Sequence, residues 1–424
     1  MPRFRLFAAF LICALLAGCA AGAQDAPGAS APPADPALAG WNAYQTLAAE
    51  VAKTNNVDNQ QALVDTFLRD YPVSPLVKDT QAIFLVNKPG ADRVLLTGDM
   101  TNWFDVLQMK RVGQTSLWSL AQELPANARV DYRYGLSGGG MDGLFLDPRN
   151  PNQVISGFGP HSELRMPAYQ APVELIARTG IPTGTLEDLG RYQSKVTTTT
   201  HRLRVYLPPG YDPAQRYPTA YFQDGDDYLD FAHAATIFDN AIADGALPPL
   251  IGVFVYPSRE QGRQRDYDLN DRYAEFFATE LVPMIDAKYS TIPEPASRVV
   301  VGDSYGGLIS LYIGLLYPDI FGGVVNQSGY VSRHRDRLAS LFAINPGLPL
   351  RIFTVVGTFE TCIGGPVLGP ECNFLEGNRN LRDVLQAGGY ALSYSEHPQG
   401  HSWGFWPAFV DDGIAWGLNY QRKN

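Results

Sequence analysis

The pattern of apolar and polar positions changes along the first third of the chain. Residues 41–71 carry apolar side chains at helical spacing and are followed by Pro72. This pattern predicts one or two amphipathic helices that end before the proline. From residue 82 the apolar positions alternate with a period of two, in short runs separated by Gly, Pro and Asn. The runs at 82–86, 93–97, 117–121 and 130–136 predict the short strands of a β-sandwich.

A pentapeptide of the form G-x-S-x-G, Gly-Asp-Ser-Tyr-Gly, occupies residues 302–306. The β-branched run 299–301 precedes it and the helix-like stretch 308–317 follows, so the sequence predicts a strand, a sharp turn and a helix. Glycines two positions either side of Ser304 permit a turn tight enough to present the serine hydroxyl clear of the backbone. This arrangement predicts a nucleophile elbow, and with it an α/β-hydrolase: a mostly parallel sheet flanked by helices and preceded by the β-sandwich.

A serine nucleophile needs a base, and the base needs a carboxylate that orients it. Glu360 follows the predicted strand 351–356, and His401 follows the predicted strand 390–396. Loops after parallel strands meet at one edge of the sheet, so Ser304, Glu360 and His401 are predicted to meet there as a catalytic triad. His397 remains an alternative base. The alternative acids are Glu371, Glu376 and Asp383, and the histidines expected to be surface or structural residues are His161, His201, His233 and His334.

Acyl transfer also requires backbone N–H groups for the oxyanion of the tetrahedral intermediate. One predicted donor is the N–H of Tyr305, the residue after the nucleophile. The second predicted donor is the N–H of Asp226, in the loop after the strand 217–222, although a plain acidic turn remains an alternative for that loop.

Five segments together resemble the esterase D-like "Putative esterase" family, which includes enterochelin (siderophore) esterases, feruloyl esterases and mycolyltransferases. The resemblance covers about residues 172 to 420 and implies Ser304 as nucleophile, Glu360 as acid, His401 as base, and Tyr305 and Asp226 as oxyanion donors. This chain has Glu360 where the family often has Asp, and Gln399 where the histidine motif commonly begins with Gly. The segments are 203–211, 221–225, 302–307, 357–360 and 400–403.

The segments at 98–103, 131–134 and 147–150 resemble the immunoglobulin-like (E-set) N-terminal domain of enterochelin esterases. Trp103 and Trp118 are candidates for a platform on which a ligand ring stacks, but burial in the sandwich core is the favoured interpretation. The predicted domains are a helical segment at 40–75, an immunoglobulin-like β-sandwich at 76–170 and an α/β-hydrolase domain at 171–424.

The first residues predict export. Arg3 and Arg5 precede an apolar run that is too short to span a bilayer, and a small-residue site precedes Cys19. Residues 1–18 therefore resemble a lipoprotein signal peptide with Cys19 as the lipidated residue, and an ordinary signal peptide cut after residue 23 is the alternative. Residues 19–39, rich in Ala, Pro and Gly, predict a flexible tether. The expected location is a membrane anchored through Cys19, in the periplasm or at the outer membrane.

Composition and cysteine usage narrow the possible partners. With 45% apolar residues the chain is globular, and a formal net charge of −10 with 33 unclustered basic residues argues against a nucleic-acid partner. Cys362 and Cys372 bracket a Gly- and Pro-rich segment after Glu360 and predict a disulfide. No metal site and no cofactor are predicted.

These features favour a serine carboxylic-ester hydrolase, and the resemblance implies a siderophore ester of the enterochelin kind as substrate. The alternatives are a feruloyl or acetyl esterase acting on polysaccharide, acyl transfer to another alcohol, and a non-catalytic binding module on a hydrolase scaffold. The partner is thus a small-molecule or glycan-linked ester. Arg263, Arg265 and Trp403 are candidate substrate-binding residues, although loop arginines paired with nearby carboxylates are the favoured interpretation of the two arginines.

Overall fold

The structure is a computed structural model that describes residues 36–136, 143–157 and 159–422. The predicted signal peptide, Cys19 and most of the predicted tether lie outside these residues. The first helix begins at Pro36, so the last residues assigned to the tether are helical instead. Among the described residues, no helix has the length and apolar character needed to cross a membrane.

Two helices precede the sheets, as the helical spacing predicts: α1 (Pro36–Val51) and α2 (Val57–Asp70). The Asn56 side chain accepts a hydrogen bond from the Asn59 N–H (2.9 Å) and so caps the start of α2. The apolar faces of both helices form a core with residues of the sheet that follows, and this core includes Val51, Val64, Phe67, Ile83 and Leu85.

Residues 76–165 form two antiparallel sheets, which we call the N-terminal sheet region. The four predicted strands are all present, and buried side chains from both sheets share one core that contains Phe84, Trp118 and Tyr132. One sheet has the order β1 (Leu76–Lys78), β2 (Gln81–Asn87), β6 (Leu117–Glu123), β5 (Lys110–Arg111). The other has the order β4 (Leu107–Gln108), β3 (Val94–Gly98), β7 (Arg129–Leu136), β10 (Gly159–Arg165), β9 (Gln153–Ser156), and β8 (Leu144–Phe145) pairs with β7.

The rest of the chain builds an eight-stranded sheet of the α/β-hydrolase type. The first three strands in spatial order pair antiparallel, and all the other neighbours are parallel. The order is β11 (Thr185–Gln193), β12 (Thr200–Leu207), β14 (Ile251–Val255), β13 (Thr219–Phe222), β15 (Arg298–Asp303), β16 (Gly323–Gln327), β17 (Arg351–Gly357), β18 (Ala391–His397). The helices are α3 (Gly225–Asp230), α4 (Ala234–Ala243), α5 (Arg263–Tyr267), α6 (Asp271–Phe276), α7 (Val282–Lys288), α8 (Tyr305–Leu316), α9 (Arg333–Ala343), α10 (Phe374–Ala387) and α11 (Val410–Gly417), and a π-helical stretch, Phe277–Leu281, joins α6 to α7.

The central strand β15 is covered on both faces. Val300 belongs to one hydrophobic core, whereas its neighbours Val299 and Val301 belong to the other. Side chains alternate between the two faces of a strand, so this division means that both faces of the sheet carry packed helices. Strands β15, β17 and β18 run parallel in this sheet, so their carboxyl ends lie at the same edge.

Candidate active site

Ser304 stands between β15 and α8 in a strained conformation, with φ 54° and ψ −120°. A Cβ added at Gly302 would lie 2.2 Å from the carbonyl oxygen of Gly306, so this turn requires glycine there. The Ser304 N–H donates to the carbonyl of Gln327 (2.9 Å), which ties the turn to the neighbouring strand β16. The predicted strand, turn and helix are confirmed, and the geometry is that of a nucleophile elbow.

Glu360 and His401 are brought together although they lie on different loops. Nδ1 of His401 lies 2.7 Å from Oε2 of Glu360, whose side chain is fully buried. The other carboxylate oxygen accepts hydrogen bonds from the Ser328 hydroxyl (2.6 Å) and the Gly357 N–H (2.8 Å). With Nδ1 facing a fixed carboxylate, Nε2 is the imidazole nitrogen that remains available for proton transfer.

Aromatic rings surround the imidazole of His401. The rings of Phe374 and Trp406 each lie 4.9 Å from it, in edge-to-face orientation. The Trp406 indole N–H donates to the Ser328 hydroxyl (2.9 Å), and Trp403 packs edge-on against Trp406 at 5.1 Å. The same hydroxyl therefore connects the aromatic wall to Glu360, and the imidazole is confined on two sides.

Ser304 and His401 line a common cavity of about 630 Å³, within the range typical of small-molecule sites. The eight-stranded region contributes most of the wall, including Tyr305, Arg263 and Trp403. The N-terminal sheet region contributes the remaining residues, which are Trp103, Asp131, Ser156, Gly157 and His161.

Asp226 is not among the residues that line this cavity. Its carboxylate lies 3.9 Å from Arg202, and both residues line a separate cavity of about 190 Å³. The next residue, Asp227, lines the cavity of Ser304 instead. Both residues are in the first turn of α3, where the direction of successive side chains changes by about 100° per residue. Asp226 and Asp227 therefore line different cavities.

Three further residues singled out from sequence, His397, Arg265 and Trp118, lie outside the cavity of Ser304. His397 packs against Phe405 and Phe409, its Nε2 lies 2.9 Å from the Ser395 hydroxyl, and burial lowers its pKa. It lies outside the cavity that His401 lines. Arg265 is exposed on α5 and does not line the cavity either. Trp118 is in the sheet core, as favoured, whereas Trp103 lines the cavity.

Arg263 lines the cavity but is already paired. Its guanidinium donates two hydrogen bonds of 2.7 Å to Asp224 and lies 3.6 Å from Asp303. Burial, with the charge of Asp224 second, raises the pKa of Asp227 to about 6 and raises that of Asp303 well above its usual value. This wall therefore carries no net positive charge. Within the described ranges, no group of three or more His, Cys, Asp or Glu residues is arranged to hold a metal ion.

A short turn of the N-terminal sheet region contacts the loops that carry Glu360 and His401, which the sequence did not indicate. The Asn102 side chain donates to the Thr361 hydroxyl (3.0 Å) and accepts from the Cys362 N–H (3.0 Å), next to Glu360. Asp99 packs so closely on Gly400 that an added Cβ there would lie 2.0 Å from its carboxyl carbon. The predicted disulfide between Cys362 and Cys372 is confirmed.

Arg129 forms a second connection to the His401 loop. Its buried guanidinium donates to Glu163 (2.6 Å), to Asp131 (2.5 Å) and to the Ser402 hydroxyl (3.1 Å). A Cβ added at Gly404 would lie 1.7 Å from the guanidinium, so the loop fits around this group. Arg129 and Ser402 are 273 residues apart in sequence, and no local pattern indicates such a contact.

Comparisons with known proteins agree with this geometry. A family model described as "Putative esterase" matches residues 194–415, slightly more than half of the chain. The chain belongs to this family. The esterase is 28% identical over 234 residues to the uncharacterized protein YjcH of Bacillus subtilis, a match that covers 54% of this chain and 95% of the relative. It is 27% identical over 222 residues to the iron(III) enterobactin esterase of Dickeya dadantii, covering 48% of each chain.

Among solved structures, the esterase is similar to the ferric enterobactin esterase of Salmonella typhimurium, with a TM-score of 0.69 and 18% identity. The match covers 84% of this chain and 98% of the other. At this identity the similarity establishes the fold. Family membership and the enterobactin esterase relatives together make this protein a carboxylic-ester hydrolase.

Proposed function

We propose that this esterase is an exported serine hydrolase that cleaves siderophore esters of the enterobactin kind through an acyl-enzyme. The observation that carries the proposal is the 2.7 Å contact between His401 and the buried Glu360, in a cavity that Ser304 also lines. A nucleophile, a base and an orienting acid at one cavity are what acyl transfer from an ester needs.

In the proposed mechanism, Ser304 Oγ attacks the ester carbonyl carbon while His401 Nε2 accepts the hydroxyl proton. The oxyanion is stabilised by the Tyr305 N–H at the start of α8 and by an N–H in the first turn of α3, at Asp226 or Asp227. His401 then returns the proton to the alkoxide as the carbon–oxygen ester bond breaks. Water repeats the sequence on the acyl-enzyme and releases the acid. Glu360 keeps the imidazole oriented throughout.

The substrate class rests on the relatives that are named enterobactin esterases and on aromatic residues in the cavity wall. The N-terminal sheet region is proposed to be an immunoglobulin-like domain, as in the resemblance noted from sequence. Export through the signal peptide, with anchoring at Cys19, is supported by the disulfide, because disulfides persist in oxidising compartments. Fractionation of cells that express the full chain or its Cys19→Ser variant tests the anchor.

The decisive experiment uses a soluble chain that begins after Cys19. We expect a fluorophosphonate to label the natural sequence, and we expect Ser304→Ala to lose both labelling and hydrolysis of a nitrophenyl ester, by about 10³-fold or more. The control is Ser340→Ala, an exposed serine on α9 outside the cavity. Absence of labelling in the natural protein would establish the binding-module alternative.

The proposed substrate class is tested by measuring kcat/KM for a cyclic catecholate triester, a feruloyl ester and an acetylated polysaccharide. We expect the highest kcat/KM for the catecholate ester. A serine-dependent preference for the feruloyl or acetyl substrate would overturn the siderophore assignment while leaving the triad intact. A product ester formed with added alcohol in place of free acid would identify acyl transfer.

A further inference from the structure

Trp103 lines the cavity with its backbone in a strained conformation, which hydrogen bonds hold in place. Asn102 and Trp103 have φ values of 51° and 61°, a left-handed conformation that bulky residues rarely adopt. The Trp103 N–H donates to the carbonyl of Gly98 (3.0 Å), and its indole N–H donates to the buried carboxylate of Asp99 (2.9 Å). Strain of this kind persists where surrounding contacts impose it, and it concentrates at ligand sites.

His161 completes an aromatic surface with Trp103. The two rings lie 4.4 Å apart and are tilted by 33°. His161 Nδ1 is 3.5 Å from Oδ2 of Asp131, and neither atom makes a hydrogen bond within the described residues. Asp131 is fully buried, and its other oxygen accepts from Arg129. Because this carboxylate faces Nδ1, the other ring nitrogen, Nε2, is the one that can meet a ligand in the cavity that His161 lines.

These groups are distinct from the triad. None of them bonds Ser304, Glu360 or His401 directly, and all come from the N-terminal sheet region, whereas the triad comes from the eight-stranded region. They nevertheless line the cavity that Ser304 and His401 line. A substrate whose ester carbonyl lies at Ser304 can therefore place its acyl group against this surface.

We propose that Trp103 and His161 form a subsite for a hydroxylated aromatic ring in the substrate, an inference that rests on the proposed esterase function. The ring stacks on Trp103, and a ring hydroxyl donates a hydrogen bond to Nε2 of His161. Asp131 is a positioning residue: its carboxylate lies beside Nδ1 and so directs Nε2 of the imidazole to the ring hydroxyl. Stacking alone selects aromatic acyl groups, and the imidazole selects hydroxylated ones among them.

The test compares three esters of one alcohol: 2,3-dihydroxybenzoyl, benzoyl and acetyl. His161→Phe keeps a ring for stacking and removes the acceptor. We expect it to raise KM about tenfold for the dihydroxybenzoyl ester and less than about twofold for the other two, with kcat unchanged. Equal KM changes for the dihydroxybenzoyl and benzoyl esters would overturn the hydrogen bond. A general structural defect would change all three esters.

Trp103→Leu tests the stacking. We expect KM to rise for both aromatic esters, by about three- to tenfold, and to stay constant for the acetyl ester. The control is Val106→Ala, an exposed residue near Trp103 that does not line the cavity. Melting temperatures of all variants show whether each one folds. Unchanged KM values in folded Trp103→Leu would remove the tryptophan from the subsite.

A binding measurement separates the subsite from the esterase proposal. In Ser304→Ala, which cannot turn over an ester, tryptophan fluorescence is titrated with 2,3-dihydroxybenzoate and with benzoate. We expect tighter binding of the dihydroxy acid, and we expect His161→Phe in the same background to abolish that preference. A preference that survives in the double variant would overturn the subsite, whatever the outcome of the catalytic test.

Discussion

The two sides of the cavity are built by different means. The proposed triad residues follow three parallel strands of one sheet, so the sheet sets their backbone positions, and His401 contacts Glu360 directly. The wall from the N-terminal sheet region is held by polar contacts between residues far apart in sequence, such as Arg129 with Ser402 and Asn102 with Cys362. Local motifs thus mark the positions of the proposed catalytic residues, whereas the wall from the N-terminal sheet region depends on contacts between residues far apart in sequence.

We expect the largest effect at Glu360, the carboxylate of the proposed triad. Glu360→Gln places an amide N–H₂ among groups that all donate to the carboxylate, and an amide cannot accept from all of them. We expect kcat for a nitrophenyl ester to fall by about 10²- to 10⁴-fold, because the imidazole loses its tautomer and orientation. Steady-state kinetics on a folded variant measure the effect.

The matched control is Glu376→Gln, on an exposed face of α10 and one of the alternative acids from sequence. It should stay within about twofold of the natural rate. A loss in Glu376→Gln comparable to that in Glu360→Gln would mean that charge near the loop matters more than the contact to His401.

The positions of Ser304, Glu360 and His401 could be predicted from sequence, because the patterns that indicate these residues are local. The glycines around Ser304 and the apolar runs before Glu360 and His401 each report on a few neighbouring residues, and the fold aligns the strand ends. The limit appears in the first turn of α3, where two consecutive residues, Asp226 and Asp227, line different cavities. Local patterns do not show which of the two lines the cavity of Ser304.

The cavity wall from the N-terminal sheet region could not be predicted, because its contacts join residues that are far apart in sequence. The context of His161 contains no carboxylate-bearing strand end and so predicts a surface or structural residue, yet β10 pairs with β7 and brings His161 beside Asp131. Asp131 is in turn bonded to Arg129, whose position depends on a loop 273 residues away. Only the pairing of strands and the packing of the two regions create this cluster.

Arg129 is expected to stabilise the contact between the N-terminal sheet region and the His401 loop. Arg129→Met leaves the buried carboxylates of Asp131 and Glu163 without their guanidinium, and we expect the free energy of unfolding to fall by about 3–5 kcal/mol. Urea denaturation measures the change. The control, Arg165→Met, removes an arginine that also pairs with Glu163 but is 44% exposed, and it should cost about 1 kcal/mol or less. Similar losses in the two variants would contradict a special role for the buried contact.

The smallest effect concerns pH at Asp99, which holds both Trp103 and the Asp131 N–H. Burial, with the charge of Asp131 second, raises its pKa from 3.8 to about 7. Between pH 3.8 and about pH 7, Asp99 loses its carboxyl proton in the unfolded chain but keeps it in the folded protein. The contribution of this group to stability is therefore fully present below about pH 4 and is lost as pH rises through about 7.

We expect Asp99→Asn to show a smaller decline in melting temperature from pH 5 to pH 8 than the natural protein. The lost hydrogen bond adds an offset that does not change with pH. Asp92→Asn, at an exposed site, should follow the natural profile. Parallel profiles for Asp99→Asn and the natural protein would show that the carboxylate of Asp99 stays ionised in the fold across this range, and that the wall beside Trp103 carries a permanent negative charge.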